Sequence, residues 1–138
     1  MSDISAYRAS VLASLGCYLL WILFPYAYPI FHNELEINLL QEIGGYQAIL
    51  VLPASVAWLI VAVWVVLAWA MWHFWRRARI CYLGMAVFTG LLTLTEGFRV
   101  QSPIEAFLLD VTLMFDGAVL ALAYFSTVRH EFEKTPAT

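Results

Sequence analysis

Long apolar runs alternate with short charged clusters along this chain, and the runs cover about residues 7–24, 47–72, 80–95 and 103–127. Each approaches the roughly 20 apolar residues that a membrane-crossing helix needs. The first run is expected to stop at Pro25 and Pro29. The second carries Pro53 inside its first turns, where a proline is better tolerated than in a helix interior. The third is short and bounded by Arg79 and Glu96. The fourth opens with Ser102 as N-cap, Pro103 at the first helical position and Glu105 three residues after the cap, the signature of a capping box.

Between the first two runs the polarity changes period. Leu35, Leu39, Leu40 and Ile43 fall on one helical face, opposite Glu34, Asn38, Gln41 and Glu42. Asn33 can cap the start of this segment and Gly44-Gly45 can end it. The pattern predicts a short amphipathic helix lying on the outer surface. Its polar face is acidic, the wrong sign for attraction to anionic lipid, so packing across the ends of the spans is expected, with docking of a partner protein as the alternative.

Composition fixes the solvent. Of 138 residues, 63 % are hydrophobic and 12 % charged, whereas soluble domains are roughly half apolar and about a quarter charged. The fold class expected is therefore an all-α integral membrane protein, a single four-helix transmembrane domain over residues 1–138. Charge placement orients it. Arg76, Arg77 and Arg79 lie between the second and third runs, Arg129 and Lys134 in the tail, and Arg8 at the N-terminal edge. Only Arg99 lies in the other two connections, so the basic end should be cytoplasmic and both termini inside, with the protein in the plasma (inner) membrane. Trp69, Trp72, Phe74 and Trp75, and at the other end Tyr18, Trp21, Phe24, Tyr26 and Tyr28, fit interfacial aromatic belts.

Little in the chain suggests chemistry. Cys17 and Cys81 belong to no C-x-x-C pair, and the apolar stretch before Cys17 is too short for a signal sequence, so a retained N-terminus is expected. The histidines His32, His73 and His130 do not face one another across the membrane as a haem would require. No catalytic triad, phosphate loop, metalloprotease or dinucleotide motif occurs. Neither cofactor nor metal is expected, nor nucleic acid as a partner, because basic stretches are too short.

What remains is acid inside the membrane. Asp110 and Asp116 lie within the fourth run, with no Lys or Arg between Ile104 and Tyr124. Carboxylates at that depth are costly and point to function. Six residues apart, they are about 120° apart around the helix and cannot converge on one ligand. Asp110 shares a face with Ala106, Leu113, Gly117 and Ala121, small enough for another helix to approach closely. Asp116 shares a stripe with Glu105, Leu109 and Thr112. Thr89, Thr93 and Glu96 line one face of the third run. Its hydroxyls are candidate partners for Asp110, since the third and fourth spans are expected to pack as antiparallel neighbours. In a low dielectric a neutral aspartic acid is the expected state of Asp116.

Asp110, Asp116, Glu105, Thr89, Thr93 and Glu96 are thus the candidates for a partner or proton site, and Ala106, Gly117 and Ala121 for helix packing. Two functions compete. The first is a non-enzymatic accessory or assembly subunit that binds other integral membrane chains, a partner's Lys or Arg neutralising Asp116. The second is a self-associating proton- or cation-coupled transporter or channel in which Asp110 and Asp116 carry the proton. In both, the lipid bilayer is the surrounding medium.

Overall fold

The computed structural model describes residues 3–42, 49, 53–95, 97 and 101–134. Among these residues all regular structure is helical: α1 (Asp3–Leu23), a 3-10 turn (Phe24–Ala27), α2 (Tyr28–Phe31), α3 (Glu34–Glu42), α4 (Ala54–Trp72), α5 (Ala78–Thr93), α6 (Pro103–Phe125) and α7 (Arg129–Lys134). Three helical stretches are long and apolar enough to cross a membrane: Asp3–Phe31, Ala54–Trp72 and Pro103–Phe125. The apolar α5 has 16 residues, about 24 Å at 1.5 Å per residue.

The boundaries follow local chemistry, in places against expectation. The first helical path does not stop at Pro25. Pro25 and Pro29 each fall in the first positions of a new helical segment, where the missing N–H is not needed, so the path runs on to Phe31. Pro53 is not inside α4 but is its N-cap, with extended backbone. Its carbonyl accepts from Val56 and Ala57. The expected start of this span near residue 47 falls mostly outside the described residues. For α6 the capping box is present as read: Ser102 Oγ accepts from the Glu105 N–H at 3.2 Å, and Glu105 Oε2 accepts from the Ser102 N–H at 2.9 Å. Asn33 caps α3 in the same reciprocal way with Glu36. The glycines expected to end α3 lie outside the described residues. Helix α3 meets α2, and Leu35 of its apolar face is 71 % exposed; the side chains of Leu39 and Leu40, and Ile43, lie outside the described residues.

Packing places α1 at the centre. It lies against α6 for most of its length and also against α4, while α5 leans on α4. The expectation that α5 and α6 are close neighbours is not met; they touch over a short stretch near the start of α5. The core joins Tyr7 and Val11 of α1 to Trp64, Ala68 and Met71 of α4, Tyr82 of α5, and Val119 and Ala123 of α6. Much of the remaining apolar surface faces outward, including Leu59, Val66, Ile80, Leu91, Leu113 and Met114. Apolar exposure on this scale suits lipid and not water.

One end of the bundle is basic and aromatic. The Tyr7 hydroxyl donates to the Met71 carbonyl at 3.1 Å, and its ring stacks on Phe74 and meets Phe132 edge-on. Phe74 has a left-handed backbone (φ 56°), unfavourable for a residue with a Cβ. Its ring contacts in this cluster oppose that cost. The Arg8 guanidinium lies over Trp72 and Phe74, and that of Arg79 over Tyr124 and Phe132. The Thr127 hydroxyl donates to the Asp3 carboxylate at 2.6 Å, linking the start of α1 to the segment after α6. Helix α7, not foreseen from the sequence, seals this end with the fully buried Phe132. Its exposed surface carries the Arg129–Glu133 and Lys134–Glu131 pairs, and the Arg129 hydrogen bond holds the Glu133 carboxyl below the usual range.

Candidate functional site

The two faces of α6 treat their aspartates differently. Glu105, Thr112, Val119 and Ala123 are buried along the inner face, and Asp116 belongs to that stripe, half-buried against α1 and α5. Ser14 Oγ of α1 donates to Asp116 Oδ1, and the Tyr82 hydroxyl of α5 donates to the same oxygen at 2.5 Å. Ser14 Oγ and the Tyr82 hydroxyl are themselves 3.3 Å apart. The ring of Trp64 from α4 meets Tyr82 edge-on at 4.9 Å and fixes its direction. One polar triangle therefore ties α1, α5 and α6 together inside an apolar bundle. Beside it lies a small cavity of about 10 Å³ lined by Ser14, Tyr18, Trp64, Tyr82, Thr112 and Asp116, among others, about the smallest space that holds one water.

Neither Ser14 nor Tyr82 was singled out from the sequence. A signal exists for Ser14: Tyr7, Val11, Ser14 and Tyr18 follow helical spacing down one face of α1, whereas Tyr82 lies three residues from Arg79, near the start of its apolar run. Alone, a serine in such a run reads as an i−4 back-bonded surface residue.

Asp110 is on the other face and is exposed. Its neighbours one turn away on the helix surface are Phe107, 65 % exposed, Leu113, 60 %, and Met114, 74 %. No hydrogen bond or ion pair reaches it among the described residues. It lies seven residues into α6, about 10 Å from the helix start. Gly117 and Ala121 share this exposed face, Ala106 is half-buried, and a Cβ added at Gly117 would meet nothing within 4 Å. Among the described residues the small-residue face is thus open at Gly117 and Ala121. Between α5 and the inner half of this face runs an open groove of about 410 Å³, lined by Leu83, Gly117, Leu120, Ala121, Tyr124 and Phe125.

The other candidates are occupied locally. Glu105 is spent on its capping box. The Thr89 hydroxyl donates to the carbonyls of Met85 and Ala86, and that of Thr93 to Gly90, all within α5. The expected bond from either threonine to Asp110 is not formed, because α5 leans toward α4. Glu96 lies outside the described residues. Among the described residues no cluster of three or more metal-binding side chains comes together.

Comparison with known proteins places no family on this arrangement: no protein-family model, curated protein or solved structure matches the chain.

Proposed function

We propose that this chain is a four-span subunit of the plasma (inner) membrane, with both termini cytoplasmic, and that it acts by association with other integral membrane chains and not by catalysis. One observation carries the reading. Asp110 lies on an exposed apolar face of α6, and an ionised carboxylate facing lipid costs up to about 3 kcal/mol on insertion scales, most at the centre of a span. A Lys or Arg from a neighbouring span would remove that cost and fix partner and register at once. The small residues Gly117 and Ala121 on the same face allow the close approach that such pairing requires.

The orientation rests on the gathering of Arg8, Arg76, Arg77, Arg79, Arg129 and Lys134 at one end of the bundle. Single cysteines at the exposed positions Glu36 and Arg77, in a background lacking Cys17 and Cys81, should label from opposite sides of the membrane. Labelling of both from outside would overturn the four-span arrangement.

Association is tested by purification from native membranes in mild detergent. Wild type should bring down other membrane chains in fixed proportion. Asp110→Asn should reduce their yield about tenfold or more, a loss equivalent to about 1.4 kcal/mol or more, because an amide cannot neutralise a cation. A wild-type assembly made only of this chain, conducting protons and losing conduction in Asp110→Asn, would favour the transporter instead.

A further inference from the structure

The polar triangle inside the bundle has a proton count. Three oxygens, Asp116 Oδ1, Ser14 Oγ and the Tyr82 hydroxyl, lie within hydrogen-bond distance of one another in pairs. Ser14 and Tyr82 supply one hydroxyl proton each, so they fill two of the three contacts. The third closes only when the carboxyl group carries a proton of its own. With an ionised Asp116 both hydroxyls turn onto the carboxylate, and the Ser14–Tyr82 contact becomes a juxtaposition of two lone pairs.

Charge leads to the same point. The titratable side chains that line the cavity beside Asp116 are Tyr18 of α1 and Tyr82 of α5; α4 contributes Trp64 and Ala68, which do not titrate. Arg79 of α5 is engaged elsewhere. Its Nη1 donates to the Ala123 carbonyl at 3.3 Å, two turns along α6, and its guanidinium packs on Tyr124 and Phe132. Among the described residues no cation touches the carboxylate, so an ionised Asp116 would have only the two hydroxyl donors to offset the cost of burying its charge.

We propose that Asp116, Ser14 and Tyr82 form an enclosed binding site for one exchangeable proton, served by a single water in the adjoining cavity. On release, the carboxyl O–H bond breaks and the proton passes to that water, leaving two hydroxyl donors to hold the carboxylate; on uptake the ring of three hydrogen bonds closes. The rest of the cavity wall is mostly carbon, from Leu15, Trp64 and Ala68. The site is independent of the outward-facing Asp110 and does not depend on any partner.

Infrared spectroscopy of the purified full-length chain in lipid nanodiscs tests this directly. At neutral pH wild type should show a protonated-carboxyl C=O stretch that shifts in heavy water and on carboxyl-¹³C labelling of aspartate. Asp116→Asn should lose it and Asp110→Asn should keep it. Ser14→Ala and Tyr82→Phe should each displace the band, because each removes one hydrogen bond to the carboxyl, an effect that a packing role alone would not produce. Raising the pH should remove the band as a single-proton titration that is the same in sodium and in choline chloride. Absence of an aspartate-derived band from mildly acidic to mildly alkaline pH would overturn the proposal, and so would a titration that moves with sodium. The isotope shift identifies the residue type even if Asp116→Asn does not fold, and the Ser14 and Tyr82 variants then identify the position.

Discussion

Asp116 and Asp110 lie six residues apart on one helix, and the difference between them separates folding from association. Asp116 has two hydroxyl donors from two other helices and a small cavity at its side. Asp110 has Phe107, Leu113 and Met114 around it and, among the described residues, no hydrogen-bond or ion-pair partner. In sequence both are acids buried in an apolar run. In three dimensions one is a joint between helices, and the other is an exposed carboxyl group with apolar neighbours.

Side-chain size probes that contrast most strongly. Ala123 is fully buried on the inner face and Ala121 is exposed on the outer one. Ala123→Phe should lower the stability of the isolated chain by about 1–3 kcal/mol, the usual penalty of overpacking. Ala121→Phe should stay within about 0.5 kcal/mol. Thermal unfolding in detergent reads both, and equal losses would mean that the outer face is packed. A smaller effect is expected at the joint. Ser14→Ala and Tyr82→Phe each remove one hydrogen bond, about 0.5–1.5 kcal/mol, and the double variant should deviate from additivity because both donate to the same oxygen. Strict additivity would break the triangle into unrelated contacts. Smallest of all, Gly117→Leu should leave the isolated chain's stability within about 0.5 kcal/mol, since a Cβ there meets nothing, and should still reduce co-purification of a partner helix.

How much of this was legible depended on what lipid does to the sequence signal. Caps survived, because a Ser102-Pro103-x-Glu105 or Asn33-x-x-Glu36 pattern reports backbone bonding independently of solvent. So did the collection of basic residues at one end. The direction each helix faces was not legible, because in a membrane the lipid side and the core side are both apolar. Helix α4 is hydrophobic all round and gives no stripe to read. Pairing α5 with α6 from their short connection therefore failed, and with it the link from Thr89 or Thr93 to Asp110. Ser14 and Tyr82 escaped notice because each is a single polar residue in an apolar run, and only the packing of α1 and of the start of α5 on α6 brings them to Asp116. The path through Pro25 and Pro29 was missed for a different reason. A proline blocks a helix interior, yet here each begins a new segment. The six-residue α7 is too short to carry a periodic pattern, and its burial depends on one ring, Phe132.

The central claim, that Asp116 serves the fold and Asp110 serves a partner, is tested most directly by replacing each with leucine and measuring thermal unfolding of the isolated chain in the same detergent. Asp116→Leu removes the acceptor shared by Ser14 and Tyr82 and should destabilise by about 1–3 kcal/mol, the cost of leaving buried hydroxyls poorly satisfied. Asp110→Leu replaces an uncompensated polar group on an apolar surface and should leave stability unchanged or raise it. A destabilised Asp110→Leu beside an unaffected Asp116→Leu would contradict the account.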